Sequence, residues 1–223
     1  MRLLIIEDNI ELASSMKKGL ENMNFKIDIS NTGIEGEEKA SVNEYDVILL
    51  DLNLPDIDGI KVLKYLREKL VNTPIIIITA RDEVSDLAIG LDNGADDYIT
   101  KPFKLLEVRA RIHAVIRRFH GRTNPVISIG KLQLNPINRT VYINENELTL
   151  AIKEFDILEY ICYKYPAIVS SEEIVEHIYD ENFDPFSSVL RVHISRLKNK
   201  VNSAYGKEVL INVRGKGYLL CVE

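Results

Sequence analysis

The 223-residue chain reads as two domains of different class. An α/β domain with a doubly wound, parallel, five-stranded sheet comes first, and a smaller α+β domain follows. Three observations predict this. Up to Arg118, short apolar runs alternate with stretches whose apolar residues recur at helical spacing, the pattern of parallel strands covered by helices on both faces. From Val126 the order changes to clustered short strands, then helices, then a terminal hairpin. Between the two halves, His120-Gly121-Arg122-Thr123-Asn124-Pro125 is polar and carries Gly and Pro, which marks a linker. The expected boundaries are 1–120, a linker at 121–125, and 126–223. This length suits two domains of ~100 residues better than one.

In the first domain, strands are predicted at 3–6, 26–30, 47–50, 75–78 and 97–99. Several are nearly continuous in Leu, Ile and Val, as strands buried on both faces should be. Leu12, Met16, Leu20 and Met23 share one helical face, as do Ile60, Leu63, Leu66 and Leu70. A further helix near 83–93 stops at Gly94, and a last one covers 105–118. In the second domain, residues 126–150 read as short strands with turns at Asn135-Pro136 and Asn144-Glu145. Helices are predicted at 153–165, 171–178 and 188–201. The chain closes with a hairpin of 209–213 and 218–222 around Arg214-Gly215-Lys216-Gly217.

Composition narrows the function classes. Hydrophobic residues make up 46% and charged residues 28%, the profile of folded rather than disordered chain. A net charge of -6 repels a polyanion, so any nucleic-acid binding must rest on where charge is placed. Cys162 and Cys221, the two cysteines, are far apart and outside any CxxC or His-rich context. They read as buried thiols in a reducing compartment rather than as a disulfide or zinc site. No apolar run approaches the ~20 residues of a membrane span, and the N-terminal run is too short for a signal peptide. The expected location is cytoplasmic, with no membrane partner.

Open parallel sheets bind ligands beyond the carboxyl ends of their strands. The first predicted strand ends in Glu7-Asp8, the third in Asp51, the fourth in Thr79-Ala80, and the fifth is followed by Thr100-Lys101-Pro102. Three carboxylates, a hydroxyl and a lysine therefore converge on one rim. Crowded carboxylates repel each other and favour a hard divalent cation, Mg2+ or Mn2+. With the metal bound, one carboxylate can attack phosphorus while metal and lysine neutralise the phosphoryl oxygens. A single Asp at a strand end is more often a helix cap than a nucleophile; it is the convergence of five groups that points to chemistry.

The segments LLIIEDN, DVILLDLNLPDIDG, PIIIITA and GADDYITKPF resemble the receiver domains of two-component response regulators, whose fold is flavodoxin-like. The resemblance covers about residues 1–120. It implies that Asp51 is the phospho-acceptor and that Glu7, Asp8, Asp51 and the main-chain carbonyl of Asn53 hold the metal. It implies that Lys101 pairs with the phosphoryl group, that Thr79 bonds it after transfer, and that Tyr98 then turns inward. A cis bond is expected before Pro102. From the strand pattern alone, Tyr98 reads equally well as a half-buried aromatic.

In the second domain the charge is uneven. Acidic residues from Glu145 to Asp184 precede a segment, 188–216, with Arg191, Arg196, Lys198, Lys200, Lys207, Arg214 and Lys216 against Glu208 alone. Leu190, Ile194, Leu197 and Val201 form an inward helical face, which leaves Arg191, Val192, Ser195, Arg196, Lys198 and Asn199 on the other sides. A basic helix face is often mere solvation, but it also suits a major groove, and Arg214 at the hairpin tip could enter a minor groove. LTLAIKEFDILEYI, RVHISRLKNKV and LINVRGKGYLL are similar to the winged helix-turn-helix domain of OmpR/PhoB-type regulators, over about residues 126–223. The resemblance implies base-edge contacts by Val192 and Arg196. It places His193, Ser195, Lys198 and Lys200 near phosphates and gives Arg214 a role in the wing; Arg191, where many family members carry an acid, is a DNA candidate from its place on the basic helix face, and Ser188 stands where many carry a basic residue. It also implies that the loop 179–187 meets RNA polymerase.

The resemblance further implies a histidine kinase as phosphodonor, double-stranded promoter DNA as target, and a receiver homodimer on activation. Its interface would draw on Leu87, Asp92, Asp96, Asp97, Glu107 and Arg111. Leu87 departs from the family pattern, which has a basic residue there to pair with the acid at Glu107. The expected function is phosphorylation-controlled transcription regulation, not turnover of an external substrate. The alternatives are a phosphorylation-independent winged-helix regulator and a metal-dependent phosphohydrolase. The second lacks substrate-binding inserts in the short links of residues 1–120.

Overall fold

The computed structural model describes residues 1–179 and 188–222 and divides the chain into two compact units, Met1–Phe119 and His120–Glu223. In the first, β1 (Arg2–Ile6), β2 (Lys26–Ser30), β3 (Val47–Leu50), β4 (Ile75–Thr79) and β5 (Asp97–Thr100) form a parallel sheet in the order β2-β1-β3-β4-β5. Every residue of β3 and β4 is buried, because helices cover both faces and leave no strand side for polar residues. The helices are α1 (Ile10–Glu21), α2 (Gly33–Val42), α3 (Gly59–Glu68), α4 (Val84–Asp92) and α5 (Leu105–Phe119). One core joins Leu4, Ile6, Ile48, Leu50, Ile75 and Ile77 of the sheet to Val62, Leu63 and Leu66 of α3.

Helix α2 was not legible in the sequence. Its buried residues are Gly33, Gly36 and Ala40, so it shows no stripe of large apolar side chains. The small residues are required. A Cβ on Gly36 would lie 2.5 Å from Ile6 Cδ1, and one on Gly33 would lie 2.4 Å from Ile57 Cγ1. Two other helices end earlier than the periodicity suggests. Met23 lies in the turn after α1, and Leu70 lies beyond α3 at φ 59, 80% exposed.

The second unit opens with an antiparallel sheet of β6 (Ile127–Ile129), β7 (Leu132–Asn135), β8 (Thr140–Ile143) and β9 (Asn146–Glu147). Asn144 and Glu145 both have positive φ and make the tight turn between β8 and β9. Helices α6 (Ile152–Lys164), α7 (Ser171–Ile178) and α8 (Val189–Tyr205) follow, then a hairpin of β10 (Leu210–Val213) and β11 (Gly217–Leu220). Buried Leu190, Ile194, Leu197 and Val201 form the inner face of α8 as expected. Near the expected linker, the His120 ring packs 4.9 Å from Tyr163 and Arg122 donates to the Cys162 carbonyl at 2.8 Å. One expectation needs correction. Cys162 is buried, but Cys221, just past β11, is exposed.

Candidate functional site

The pocket forms where the carboxyl ends of β1, β3, β4 and β5 meet. Glu7 and Asp8 follow β1, Asp51 follows β3, Thr79 ends β4, and Lys101 follows β5. Carboxylate oxygens of Glu7, Asp8 and Asp51 lie within 4.8 Å of one another. Glu7 and Asp51 are buried and Asp8 is exposed. The Lys101 ammonium donates to Asp51 Oδ2 at 2.6 Å and to Glu7 Oε2 at 2.7 Å. Burial pushes the Glu7 carboxyl above its ordinary value, although Lys101 opposes this. Burial pulls the Lys101 ammonium down, but its bonds to Asp51 and Glu7 outweigh that and raise it. The site thus holds a strong cation and crowded acids in little water, where charge interactions are strengthened.

The loop after β3 is braced from several directions. The Asn53 N–H donates to Asp51 Oδ1 at 3.1 Å. Asp56 accepts the N–H groups of Gly33 and Ile34, both at 2.8 Å, and so clamps the start of α2. Asp58 caps α3 through the Ile60 N–H at 2.8 Å. Gly59 is needed because a Cβ there would stand 2.3 Å from the Asp51 carbonyl oxygen. Lys101-Pro102 is cis.

Thr79 is fully buried, and its Oγ1 accepts the Arg81 N–H at 3.4 Å. Tyr98 is 7% exposed, more buried than the strand pattern suggested, and its hydroxyl donates to the Arg81 carbonyl at 2.8 Å. Arg81 was not singled out from the sequence. Its guanidinium donates to Asn53 Oδ1 at 2.9 Å and to Asp58 Oδ2 at 2.7 Å. Its position two residues past Thr79 was the available signal.

The residues expected at a dimer face are largely paired within the chain. Arg111 binds Asp97 at 3.0 Å and Glu107 at 2.9 Å. Asp96 turns instead to Arg67, at 3.1 Å, and to the Ile75 N–H. Leu87 and Asp92 are exposed, and α4 also exposes Val84, Ile89 and Leu91.

On α8, Arg191, Val192, Ser195 and Arg196 are exposed, as is Arg214 in the hairpin turn. Three expected DNA contacts instead have internal partners. Lys200 donates to Glu154, at 2.7 Å, and to the Thr149 carbonyl. Lys198 pairs with Glu208 at 3.3 Å, and His193 Nδ1 lies 2.6 Å from the Tyr179 hydroxyl. A groove of about 360 Å³ between α8 and the hairpin is lined by Arg191, Ser195, Lys198 and Asn199, and by Asn212 and Tyr218. The last two were not read from the sequence, because the groove exists only once the hairpin folds beside the helix. Of the loop 179–187, where a polymerase contact was expected, residues 180–187 lie outside the described residues. Among the described residues, no helix is long and apolar enough to cross a membrane.

A doubly wound sheet with this acidic rim, followed by a winged-helix unit, is the make-up of a transcriptional response regulator. Residues 3–113 match the response regulator receiver domain, and residues 145–220 match the C-terminal domain of transcriptional regulatory proteins. Relatives agree over their whole length. The cell cycle transcriptional regulator CtrA of Caulobacter vibrioides is 38% identical over 99% of this chain and 96% of its own. The transcriptional regulatory protein PmrA of Pectobacterium parmentieri is 39% identical over 99% and 97%. The receiver domain of Francisella response regulator 1452, a solved structure, is 35% identical with a TM-score of 0.51, covering 52% of this chain and 97% of that one. The chain belongs to the OmpR/PhoB family of response regulators, which regulate transcription rather than turn over an external substrate.

Proposed function

We propose that Asp51 accepts a phosphoryl group from the phosphohistidine of a sensor kinase and that this controls promoter binding by the winged helix. The observation that carries the reading is the Lys101 ammonium, 2.6 Å from Asp51 and 2.7 Å from Glu7, beside three carboxylates that converge within 4.8 Å. An Asp51 Oδ attacks phosphorus, the P–N bond breaks with its electron pair going to nitrogen, and the donor, already protonated on its other ring nitrogen, leaves as neutral imidazole. Lys101 offsets the charge on the phosphoryl oxygens. The donor set suits a hard cation: Glu7, Asp8, Asp51 and the Asn53 carbonyl would hold Mg2+ or Mn2+, which supplies further charge neutralisation there.

The Thr79 hydroxyl then moves to the phosphoryl group, which fixes the Tyr98 ring, already 7% exposed, in its inward place. That change favours a symmetric dimer through α4, β5 and α5, where exposed Leu87 makes the contact more apolar than an ion pair would. Asp92 adds charge at its edge, while Asp97, Glu107 and Arg111 exchange their internal pairs for pairs across the dimer, and Asp96 flanks them. Two tethered winged helices gain affinity for paired half-sites through effective concentration. Val192 and Arg196 meet base edges, Arg191 and Ser195 line the phosphate-facing groove, and Arg214 enters the adjacent minor groove. The loop 179–187 contacts RNA polymerase, and the protein acts in the cytoplasm. A relic pocket, as in a phosphorylation-independent regulator, is disfavoured because every member of the constellation is present and Lys101 bridges Asp51 and Glu7.

The test is binding to a duplex selected from random sequence, before and after treatment with acetyl phosphate and Mg2+. Tighter binding after treatment is expected. Equal affinity in both states would remove the regulatory part of the account.

A further inference from the structure

His193 stands on α8 among the residues expected to meet DNA, yet its ring already has an internal bond. An imidazole has two nitrogens, and this bond engages one of them. Nδ1 lies 2.6 Å from the Tyr179 hydroxyl, and the two ring planes are 13° apart, which suits a bond to the in-plane lone pair of Nδ1. The side chain is half-buried, and Nε2 has no hydrogen-bond partner among the described residues. The internal bond therefore leaves one edge of the ring for a ligand.

The Tyr179 side of the pair is the fixed one. Tyr179 is 7% exposed, and its N–H closes α7 by donating to the Val175 carbonyl at 3.0 Å. The Lys153 ammonium of α6 stands 5.2 Å over its ring and donates to the neighbouring Ile178 carbonyl at 2.6 Å. Lys153 is in turn 3.8 Å from Asp156, which also pairs with Arg139 at 2.7 Å. Burial, with Asp156 adding to it, pushes the Tyr179 hydroxyl up to about 12, so it keeps its proton throughout the neutral range.

We propose that Tyr179 is a positioning residue for DNA binding: its hydroxyl donates to His193 Nδ1 and so fixes the imidazole as the tautomer whose Nε2–H is offered to a DNA phosphate. The inference rests on the proposed seating of α8 on DNA. A neutral imidazole carries one proton, so one nitrogen donates and the other accepts. A phosphate oxygen only accepts. With the proton on Nδ1, Nε2 would present a lone pair to the phosphate and repel it. A hydroxyl donating to Nδ1 excludes that tautomer and also stops the ring from flipping. Without it, the ring must be ordered when DNA binds, which weakens binding by about 2- to 10-fold.

The experiment uses the full chain with nitrogen-15 histidine, read by NMR without DNA at about pH 8, where an ordinary imidazole is neutral. The chain has four histidines, and His193→Ala identifies the signal. In wild type, Nε2 should be protonated and Nδ1 should be an unprotonated acceptor. Tyr179→Phe, which keeps the ring beneath Lys153, should shift the Nδ1 signal. Binding is then measured to a duplex selected on wild type from random sequence. Tyr179→Phe should bind about 2- to 10-fold more weakly, and that loss should vanish when the same change is made in His193→Ala. A loss that persists in His193→Ala means that Tyr179 touches DNA itself or only supports the fold, and it overturns the inference. A proton on Nδ1 in wild type, or unchanged affinity in Tyr179→Phe, overturns it as well and leaves the other contacts of α8 standing. A wild type that selects no duplex overturns the seating of α8 and the inference together.

Discussion

Lys200 separates a DNA contact from an internal strut, and Lys200→Met tests which it is. The Glu154 carboxylate is 3% exposed and has two donors, the Ala151 N–H at 2.8 Å and the Lys200 ammonium at 2.7 Å. Met keeps most of the aliphatic stem but leaves Glu154 with one neutral donor. Breaking a fully buried ion pair costs about 3–5 kcal/mol. Lys200 is 40% exposed, so water replaces part of the lost ammonium, and the cost falls to about 1–2 kcal/mol. For a unit of this size that is a Tm drop of about 5–10 °C. Burial alone would raise the Glu154 carboxyl, but Lys200 and the Ala151 N–H outweigh it and hold it below 4.5. A lowered acid contributes stability that is complete above its unfolded value and is lost as pH falls through the folded one. The gap between wild type and variant should therefore be full at pH 7 and narrow below pH 4.5. Calorimetry of the second unit's transition reads this, and DNA affinity against salt reads the rival role. A strut leaves the salt slope unchanged, whereas a lost phosphate contact lowers it by about one. An unchanged Tm with a slope reduced by about one would refute the reasoning.

Three further outcomes follow from the pocket. Gly59→Ala should cost the first unit about 1–3 kcal/mol in chemical denaturation, because the new Cβ meets the Asp51 carbonyl and Leu52 Cα rather than a flexible side chain; unchanged stability would contradict the close approach. Asp56→Ala should cost about 0.5–2 kcal/mol in chemical denaturation through the freed N–H groups of Gly33 and Ile34, which sit on separate carboxylate oxygens, and Asp56→Asn, with one acceptor oxygen, should recover only part of it; unchanged stability in both would contradict the clamp. Lys101→Met leaves Glu7 and Asp51 without their ammonium, so saturating Mg2+ should raise its Tm more than it raises that of wild type. Equal increments would mean that Lys101 does not offset the crowded acids.

What the sequence made legible tracks the physics that writes it there. Strands buried on both faces announce themselves as apolar runs, so β3 and β4 were visible, and the residues at strand ends followed from them. Helix α2 was invisible because close packing against Ile6 and Ile57 demands Gly33 and Gly36, which erases the apolar stripe. Charge-counting found the basic segment but not its internal debts: Glu154, Glu208 and Tyr179 engage Lys200, Lys198 and His193 from 10 or more residues away. Arg81 was missed for the same reason. Its partners Asn53 and Asp58 lie 28 and 23 residues upstream, and only the adjacency of β3 and β4 brings them together.

The central claim is that Asp51 takes the phosphoryl group, and intact-mass measurement after acetyl phosphate and Mg2+ tests it most directly. Wild type should gain one phosphoryl adduct, and Asp51→Ala, folded and under the same conditions, should gain none. An adduct that persists in Asp51→Ala, or none in folded wild type at saturating metal, would contradict it.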